Sequence, residues 1–354
     1  MPKQRIVSLD YLRGLAAFAI MFYHLTAWLF GLHSADSVLG RIGIYGVSIF
    51  YVLSGLTLFY VYGNRLKLNF EGITDYTIRR IFRIFPLLWL VTTATLIIHR
   101  DIPTISEAFL AYSGLFGFVR PKGYIAIGAW SIGNELVFYV IFLALLYALR
   151  RSRFLLALVS ASIMAAGFYY ANFFLISTQP LIEQWPKYIN PLNQAFLFLS
   201  GFLLGALLPA PYKSVSKYSK WPWILMAISC TLLFTFWPSS SDAISIVTGW
   251  NRVILCSACI GLCAAIYQYP YHLPILHRPL LILGEMSYSV YLIHPLVYEV
   301  VKRLIGTSRP FLSISTTIIF SLVIAYFVYF LLETYFIKKG RNVAKAITNR
   351  ARHA

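Results

Sequence analysis

The chain has 354 residues, of which 59% are hydrophobic and only 12% are charged, and its formal net charge is +18. A soluble domain is usually about half apolar and about one quarter charged, so this composition excludes an ordinary soluble domain and indicates a polytopic membrane protein. The excess of positive charge does not indicate nucleic acid as a partner, because the basic residues lie between apolar segments instead of forming one stripe.

Ten apolar segments approach the length that a helix needs to cross a bilayer, which is about 20 residues. The predicted spans are 9–30, 43–62, 84–99, 130–149, 154–173, 192–209, 222–238, 251–269, 285–305 and 311–333. The third and the seventh are the shortest. The sequence therefore predicts an all-α transmembrane helical bundle of about ten spans. A transmembrane domain would cover residues 1–337, and residues 338–354 would form a basic cytoplasmic tail whose charge suits anionic lipid.

The distribution of basic residues predicts the orientation of the spans. If the N-terminus lies in the cytoplasm, twenty of the thirty Lys and Arg residues fall in cytoplasmic segments, among them Lys3, Lys213 and Lys217. Nine fall in outer segments, including Lys302 and Arg309. This asymmetry favours ten spans with both termini in the cytoplasm.

The longest polar interval covers residues 100–129 and is rich in Phe, Tyr and Gly. We expect it either to fold over the outer face or to return into the membrane as a re-entrant loop. No internal repeat is evident in the chain.

The first predicted span carries three ionisable residues, Asp10, Arg13 and His24, among Leu, Ala, Phe, Ile and Met. Helical residues advance by about 100° each, so all three lie on one stripe, and the rise of about 1.5 Å per residue separates Arg13 from His24 by roughly 16 Å. Ionisable residues at membrane depth are costly and usually mark a site. His24 can accept and return a proton near neutral pH, which makes it a candidate general base. The alternative is a structural histidine bonded to a neighbouring helix.

Three arginines lie at the start of the third predicted span, and we refer to Arg79, Arg80 and Arg83 as the arginine cluster. Guanidinium groups bind phosphate oxygens in pairs, so the cluster is a candidate phosphate clamp. Basic residues at a cytoplasmic helix start are also what membrane topology requires, and the spacing does not decide between the two interpretations.

A carboxylate, Glu135, lies in the first turns of the fourth predicted span, near Trp130, Ser131 and Asn134. A carboxylate at this depth must be paired, protonated or in contact with water. It could orient His24, bind an arginine or hold a substrate hydroxyl. The alternative is a structural ion pair with a neighbouring helix.

The ninth predicted span contains His294, which follows Tyr288 by one to two turns. These two residues are candidate site residues, but Tyr and His are also common in the aromatic belt at the membrane interface. The residue types alone slightly favour the belt.

Two further sets of small residues indicate packing. Ser54 and Gly55, in the middle of the second predicted span, are typical of close helix approach. Cys256, Cys259 and Cys263 share one helical face, but no His or carboxylate is interleaved with them. We therefore interpret the cysteines as packing residues and predict no metal site.

Five motifs in order along the chain resemble the acyltransferase-3 family of integral-membrane acyltransferases. They are LDYLRGLAAFAIMFYH at 9–24, FYVLSG at 50–55, RRIFRIFPLLWL at 79–90, WSIGNELVFY at 130–139 and GEMSYSVYLIHPL at 284–296. Glu333 also resembles the C-terminal glutamate of the family. The chain departs from the family pattern at Tyr11, where glycine is common, and at Asn134, where many members have an acidic residue.

The resemblance implies transfer of an acyl group, typically acetyl, from cytoplasmic acyl-CoA to a hydroxyl of a surface polysaccharide, a lipopolysaccharide or a lipid-linked glycan precursor. It implies a multi-pass protein of the bacterial inner membrane, with acetyl-CoA as donor substrate and no tightly bound cofactor. Arg13 and the arginine cluster would hold the CoA phosphates. His24 would be the general base, oriented by Asp10 or Glu135. The acceptor would contact Trp130, Ser131, Tyr288 and His294.

The alternative function is a transporter or flippase of a glycolipid or an anion, in which the buried charges would line the pathway. Transporters often show internal repeats and broken spans at matching positions. The lack of an evident repeat in this sequence favours the acyltransferase.

Overall fold

The computed structural model describes residues 5–209, 220–269 and 273–353, so that Lys3, Lys213 and Lys217 lie outside the described residues. Within these ranges the chain is helical and contains no strand. The first nine helices are α1 (Val7–Phe30), α2 (Val38–Tyr62), α3 (Phe70–His99), α4 (Ile105–Ser113), α5 (Phe116–Val119), α6 (Ala129–Arg151), α7 (Arg153–Tyr169), α8 (Trp185–Tyr188) and α9 (Pro191–Leu207). The others are α10 (Trp221–Phe236), α11 (Ala243–Ile246), α12 (Gly249–Gln268), α13 (His277–Glu285), α14 (Ser287–Ile305), α15 (Pro310–Val328) and α16 (Thr334–His353). Two π-helical turns, Tyr170–Phe174 and Tyr329–Glu333, extend α7 and α15.

The chain is a polytopic membrane protein. Among the described residues, eight helices are long and apolar enough to cross a membrane, and a ninth span is present if the bent pair α13 and α14 forms one span. The seventh predicted span corresponds to α10, a shorter apolar helix. Every predicted span therefore coincides with a helix, and the predicted fold class is confirmed.

The third predicted span, at 84–99, is only the apolar part of a longer helix. Helix α3 begins at Phe70, because the side chain of Asn69 accepts a hydrogen bond from the backbone N–H of Gly72 and caps the helix. It continues through Pro86 and ends at His99. The arginine cluster therefore lies within the helix rather than before it.

The chain divides into two compact units, and the first comprises the described residues of Met1–Val61 and Val137–Ser287. In this unit α2 and α9 cross closely. A Cβ atom on Gly55 would lie 2.1 Å from the carbonyl oxygen of Phe198, and one on Gly201 would lie 1.9 Å from that of Val52. The prediction that Gly55 permits close helix packing is confirmed.

Helix α1 packs against two partners in the same unit. The hydroxyl of Ser8 donates to the carbonyl oxygen of Ile266 at 3.2 Å, so α1 begins beside the end of α12. Near its start α1 also crosses α13, because a Cβ atom on Gly14 would lie 2.7 Å from the backbone nitrogen of Gly284. Glycines at this crossing bring the two backbones into contact.

The second unit comprises the described residues of Tyr62–Leu136 and Tyr288–Ala354. Here α3 and α14 run parallel. The hydroxyl of Tyr288 donates to the carbonyl oxygen of Ile84 at 3.0 Å. Near the other end of α14, Arg303 donates to the carbonyl oxygen of Ile98, near the end of α3, at 2.8 Å. Helix α16 packs on the first half of α3, where Gly340 lies against the ring of Phe82. The predicted tail is thus mainly a helix that continues the last span.

The interval 100–129 contains α4 and α5. Helix α4 runs back along α3, since the indole of Trp89 donates to the carbonyl oxygen of Tyr112 at 2.8 Å and Thr93 hydrogen-bonds to the Tyr112 hydroxyl at 2.7 Å. Trp89 lies ten residues before the end of α3, or about 15 Å along the axis. Helix α4 therefore packs back along the last turns of α3.

Candidate active site

The candidate residues fall into two groups according to the unit that carries them. The first unit holds Asp10, Arg13 and His24. The second unit holds Arg79, Arg80, Arg83, Trp130, Ser131, Glu135, Tyr288 and His294.

At the start of α1, a network of charged side chains surrounds Asp10. This buried carboxylate accepts a hydrogen bond from Arg13 at 3.0 Å and one from Arg5 at 2.6 Å. Arg5 also forms an ion pair with Glu285 of α13. Burial lowers the pKa of the Arg5 guanidinium, but its hydrogen bonds to Asp10 and Glu285 outweigh burial and raise that pKa above its usual value. Asp10 therefore holds two arginines in place.

Asp10 is too far from His24 to orient it. The two residues lie on the same uninterrupted helix and are fourteen residues apart, or about 21 Å along the axis. The structure is therefore not compatible with a direct hydrogen bond from Asp10 to the imidazole of His24, and the Asp10 carboxylate pairs with Arg13 instead.

Tyr11 provides a second link between α1 and α13. Its side chain is 4% exposed, and its hydroxyl hydrogen-bonds to Nδ1 of His277. The departure from the family pattern at this position therefore has a structural explanation, since the hydroxyl anchors α13 beside the Arg13 end of α1.

His24 lies near the other end of α1, in an aromatic environment. Its imidazole stacks on the indole of Trp28, one turn further on, with ring centroids 5.1 Å apart and an interplanar angle of 12°. The ring of Tyr23 lies 5.3 Å away, and it also lies 6.0 Å from the imidazole of His33. His33 in turn hydrogen-bonds to Thr26 at 2.7 Å. Stacking on Trp28 restricts the orientation of the His24 ring.

The first unit thus presents an arginine and a histidine on one rigid element. Because α1 is continuous from Val7 to Phe30, the roughly 16 Å separation of Arg13 and His24 is fixed by the helix itself. Such an element can hold an anionic group at one end of an elongated ligand and a proton acceptor near the other end.

In the second unit, two members of the arginine cluster already have partners. Arg79 makes a bidentate ion pair with Asp75, at 2.7 and 2.8 Å. Arg80 donates to the hydroxyl of Tyr62 at 3.1 Å, and its guanidinium lies 5.3 Å from the centre of that ring. Arg83 is exposed. The three arginines therefore lie in three different environments rather than forming one open clamp.

Glu135 and Arg80 are neighbours of the same tyrosine. Both lie close enough to Tyr76, a buried residue of α3, to interact with it electrostatically. Glu135 itself is half-buried in the second turn of α6. A predicted catalytic residue and a predicted cofactor-binding residue thus both act on the electrostatic environment of Tyr76.

Ser131 and Tyr291 lie at the start of α6 and within α14, and they form one hydrogen-bonded group. The Ser131 hydroxyl donates to that of Tyr291 at 3.1 Å, and Tyr291 donates to the carbonyl oxygen of Gly128 at 3.2 Å. Gly128 has a φ of +85°, which disfavours other residues, and a Cβ atom there would lie 3.3 Å from the tyrosine ring.

The other predicted acceptor contacts have different surroundings. His294 is 1% exposed and its Nδ1 hydrogen-bonds to the carbonyl oxygen of Val290 at 3.0 Å. Tyr288 donates to α3, and Trp130 is half-buried. The His294 bond thus lies within α14, and the Tyr288 bond joins α14 to α3.

Glu333 is 4% exposed and accepts a hydrogen bond from Ser289 of α14. It is the last residue of the π-helical turn between α15 and α16, and such turns often occur at functional sites. The sequence signalled Glu333 only through the family resemblance.

Several residues of these sites were not identified from the sequence. Trp28 could have been found, because it follows His24 by four residues and so lies on the same helical face. No such signal marks the other residues, because each of them bonds to a residue far away in the chain. They are Arg5, His277 and Ser289.

A family model described as "Acyltransferase domain" matches residues 6–332, which is nearly the whole chain. The chain belongs to the acyltransferase-3 family. The matched range includes both ends of α1, the arginine cluster and the Glu135 region. Because it belongs to this family, the protein is an enzyme that transfers acyl groups other than aminoacyl groups.

Three relatives support the assignment to this family. "Putative acetyltransferase ORF330" of Acidianus two-tailed virus is 29% identical over 320 residues, which cover 88% of this chain and 90% of that protein. "Putative peptidoglycan O-acetyltransferase YrhL" of Bacillus subtilis is 26% identical and covers 82% of this chain. "Peptidoglycan O-acetyltransferase OatA" of Listeria monocytogenes is 25% identical and covers 87% of this chain.

The chain spans about half the length of the two bacterial relatives, 48% of the first and 52% of the second. No solved structure matches the chain.

Proposed function

We propose that this protein is a membrane O-acetyltransferase. It moves an acetyl group from cytoplasmic acetyl-CoA to a hydroxyl of a cell-surface polysaccharide, a lipopolysaccharide or a lipid-linked glycan precursor, and His24 is the general base. The observation that carries the proposal is the placement of Arg13 and His24 on one continuous helix in a chain of the acyltransferase-3 family. A bacterial inner membrane is the location that we propose with it.

The names of the relatives favour acetyl as the acyl group and a glycan as the acceptor. All three are named as acetyltransferases, and the two bacterial proteins are named for peptidoglycan. The alternative function was a transporter or flippase, with which the buried charges are also compatible. None of these three relatives is named as a transporter.

In the proposed reaction, Arg13 holds a phosphate of CoA near one end of α1, and the pantetheine arm extends toward His24. His24 accepts the proton of the acceptor hydroxyl while the hydroxyl oxygen attacks the carbonyl carbon of the thioester. The C–O bond forms, the C–S bond breaks, and the proton passes from His24 to the departing thiolate of CoA. Stacking on Trp28 keeps the imidazole oriented during both proton transfers.

The second unit supplies the remaining groups that we assign to the reaction. Arg80 and Arg83 interact with further phosphate oxygens of CoA, and Arg79 stays paired with Asp75 and supports the cluster. Glu135 is proposed to hold a substrate hydroxyl or a neighbouring cation. Trp130, Ser131, Tyr288 and His294 remain the proposed acceptor contacts.

The proposal is tested with the purified full-length chain and acetyl-CoA labelled in the acetyl group. The acceptors are peptidoglycan fragments, lipopolysaccharide and a neutral polysaccharide, each analysed by mass spectrometry. We expect the label to appear as an ester on at least one of the acceptors. Protein that binds acetyl-CoA but transports a glycolipid across vesicle membranes without acetylating it would contradict the proposal and favour the transporter.

A further inference from the structure

An apolar groove runs between α3, α14 and α15 in the second unit. It encloses about 400 Å³, and its wall is formed by side chains such as Ala94, Val297 and Phe320 without a contribution from polar surface. Several of the groove's side chains are exposed, among them Val300 at 43% and Leu304 at 80%. Pockets of this volume are typical of small-molecule sites.

The groove has the dimensions of an elongated apolar ligand. It extends along α14 from Ile293 to Ile305, a distance of twelve helical steps or about 18 Å. Along α15 it reaches from Thr316 to Val328, which is the same length. A long, narrow, apolar space between membrane-spanning helices fits a hydrocarbon chain.

One end of the groove is positively charged. Lys302, Arg303 and Arg309 are exposed where α14 ends and α15 begins. Arg303 is fixed at the groove, because it donates a hydrogen bond to the carbonyl oxygen of Ile98, a residue of the groove wall. From residue 300 to residue 316 the sequence contains no acidic residue.

The acidic groups near this end do not neutralise it. Glu299 of α14 lies beside a separate small cavity with His99 and Thr95. At the end of α3, the charge of Asp101 is matched by that of the adjacent Arg100. Three exposed cations and one carboxylate leave the groove's end with an excess of positive charge.

These charges are unusual for their predicted position, because loops on the outer side of a membrane generally contain few basic residues. An anionic headgroup would explain both their presence and their location at the end of an apolar groove. A zwitterionic headgroup would gain much less from them.

We propose that the groove binds one acyl chain of an anionic membrane lipid, whose phosphate lies between Lys302, Arg303 and Arg309. The chain fills the space between α3, α14 and α15, and the headgroup lies at the membrane interface. This inference does not depend on the proposed acetyl transfer.

The test measures lipid binding to the full-length protein in detergent by native mass spectrometry, with dioleoyl phosphatidylglycerol and dioleoyl phosphatidylcholine as probes. Wild-type protein is expected to bind phosphatidylglycerol at least fivefold more tightly than phosphatidylcholine. The variant Lys302→Gln/Arg309→Gln is expected to lose this preference, while Arg303 is left in place because its hydrogen bond supports α3.

The matched control is Arg120→Gln/Lys122→Gln, which removes one arginine and one lysine from exposed positions of the same unit. It is expected to change the binding of phosphatidylglycerol less than twofold. Glycerol phosphate, which has the headgroup charge but no acyl chain, is expected not to displace the bound lipid.

A second variant tests the groove itself. Ala94→Phe places a ring in the groove and is expected to weaken the binding of the dioleoyl lipid while the elution volume and the melting temperature of the protein are retained. Equal affinity for the two lipids in the wild type, equal losses in the charge variant and its control, or displacement by glycerol phosphate would each overturn the proposal.

Discussion

At the scale of single residues, Arg41 illustrates how the interior of the first unit accommodates a charge. It is 2% exposed, and its guanidinium donates to the carbonyl oxygens of Phe234 and Trp237 and to the hydroxyl of Ser239. These groups lie at the end of α10, where helix carbonyls lack partners and carry partial negative charge. Arg41 therefore caps α10 from a distant part of the chain.

Replacement of Arg41 by glutamine should destabilise the protein by about 3 kcal/mol or more, because hydrogen bonds to a charged group contribute about 1.5–3 kcal/mol each. The measurement is the melting temperature of the purified protein in detergent. The exposed Arg120→Gln variant is the control and should melt like the wild type. A melting temperature for Arg41→Gln equal to that of the control would show that the cap is dispensable.

Arg80 provides a residue-scale test of the donor site. Arg80 is half-buried and donates to Tyr62, and loss of its charge-assisted bond to phosphate should weaken CoA binding roughly tenfold. Isothermal titration of CoA into Arg80→Ala measures the change. Arg278→Ala, which removes an exposed arginine predicted to be cytoplasmic, should bind like the wild type. Unaltered affinity in a folded Arg80→Ala protein would remove Arg80 from the donor site.

The sequence identified most of the charged residues of the site but few of their partners. Asp10, Arg13 and His24 were evident because ionisable residues are rare in an apolar helix. The ion pair between Arg5 and Glu285, which extends this network to α13, was not evident, because the two residues lie far apart in the chain. Helical spacing predicts neighbours on one helix and cannot predict which helices meet.

At the scale of helices, the apolar segments of the sequence predicted where the helices lie in the chain, but they predicted less well where each helix begins and ends. The start of α3 was placed fourteen residues too late, because hydropathy detects the lipid-facing part of a helix and not its polar extension. The return of α4 along α3 depends on the bonds of Tyr112, which no spacing rule could indicate. The close crossing at Gly55 was predicted because small residues in a span have few other roles.

Helix α9 offers a matched pair of glycines to test the crossing with α2. An alanine at Gly201 would meet the backbone of Val52, which cannot move aside, and should destabilise the protein by about 2 kcal/mol. An alanine at Gly205, one turn later, would meet only the side chain of Phe59 at 3.0 Å. Thermal melting should show a large loss for Gly201→Ala and little change for Gly205→Ala. Equal effects would mean that backbone contact does not determine this packing.

At the scale of the whole molecule, composition and span count were enough to predict a polytopic helical membrane protein, and the five motifs were enough to predict its family. The division into two units was not predictable, because each unit combines segments from both halves of the chain. Arg13 and His24 belong to the first unit, and the arginine cluster belongs to the second.

The predicted orientation can be tested at this scale with fusions to the C-terminus. Green fluorescent protein attached after Ala354 should fluoresce in bacterial cells, because the excess of basic residues places both termini in the cytoplasm. Alkaline phosphatase attached at the same point should be inactive. The opposite pair of results would reverse the orientation and would place Arg13 on the wrong side for cytoplasmic acetyl-CoA.

The most direct test of the account is the rate of acetyl transfer by the His24→Ala variant, measured with labelled acetyl-CoA and the acceptor that the wild type acetylates. General acid–base catalysis typically contributes 10²–10⁴-fold to a rate, so we expect a loss of about a hundredfold or more. The control His99→Ala removes an exposed histidine of the second unit and should retain the wild-type rate. Transfer by folded His24→Ala at the rate of the control would contradict the assignment of His24 as the base.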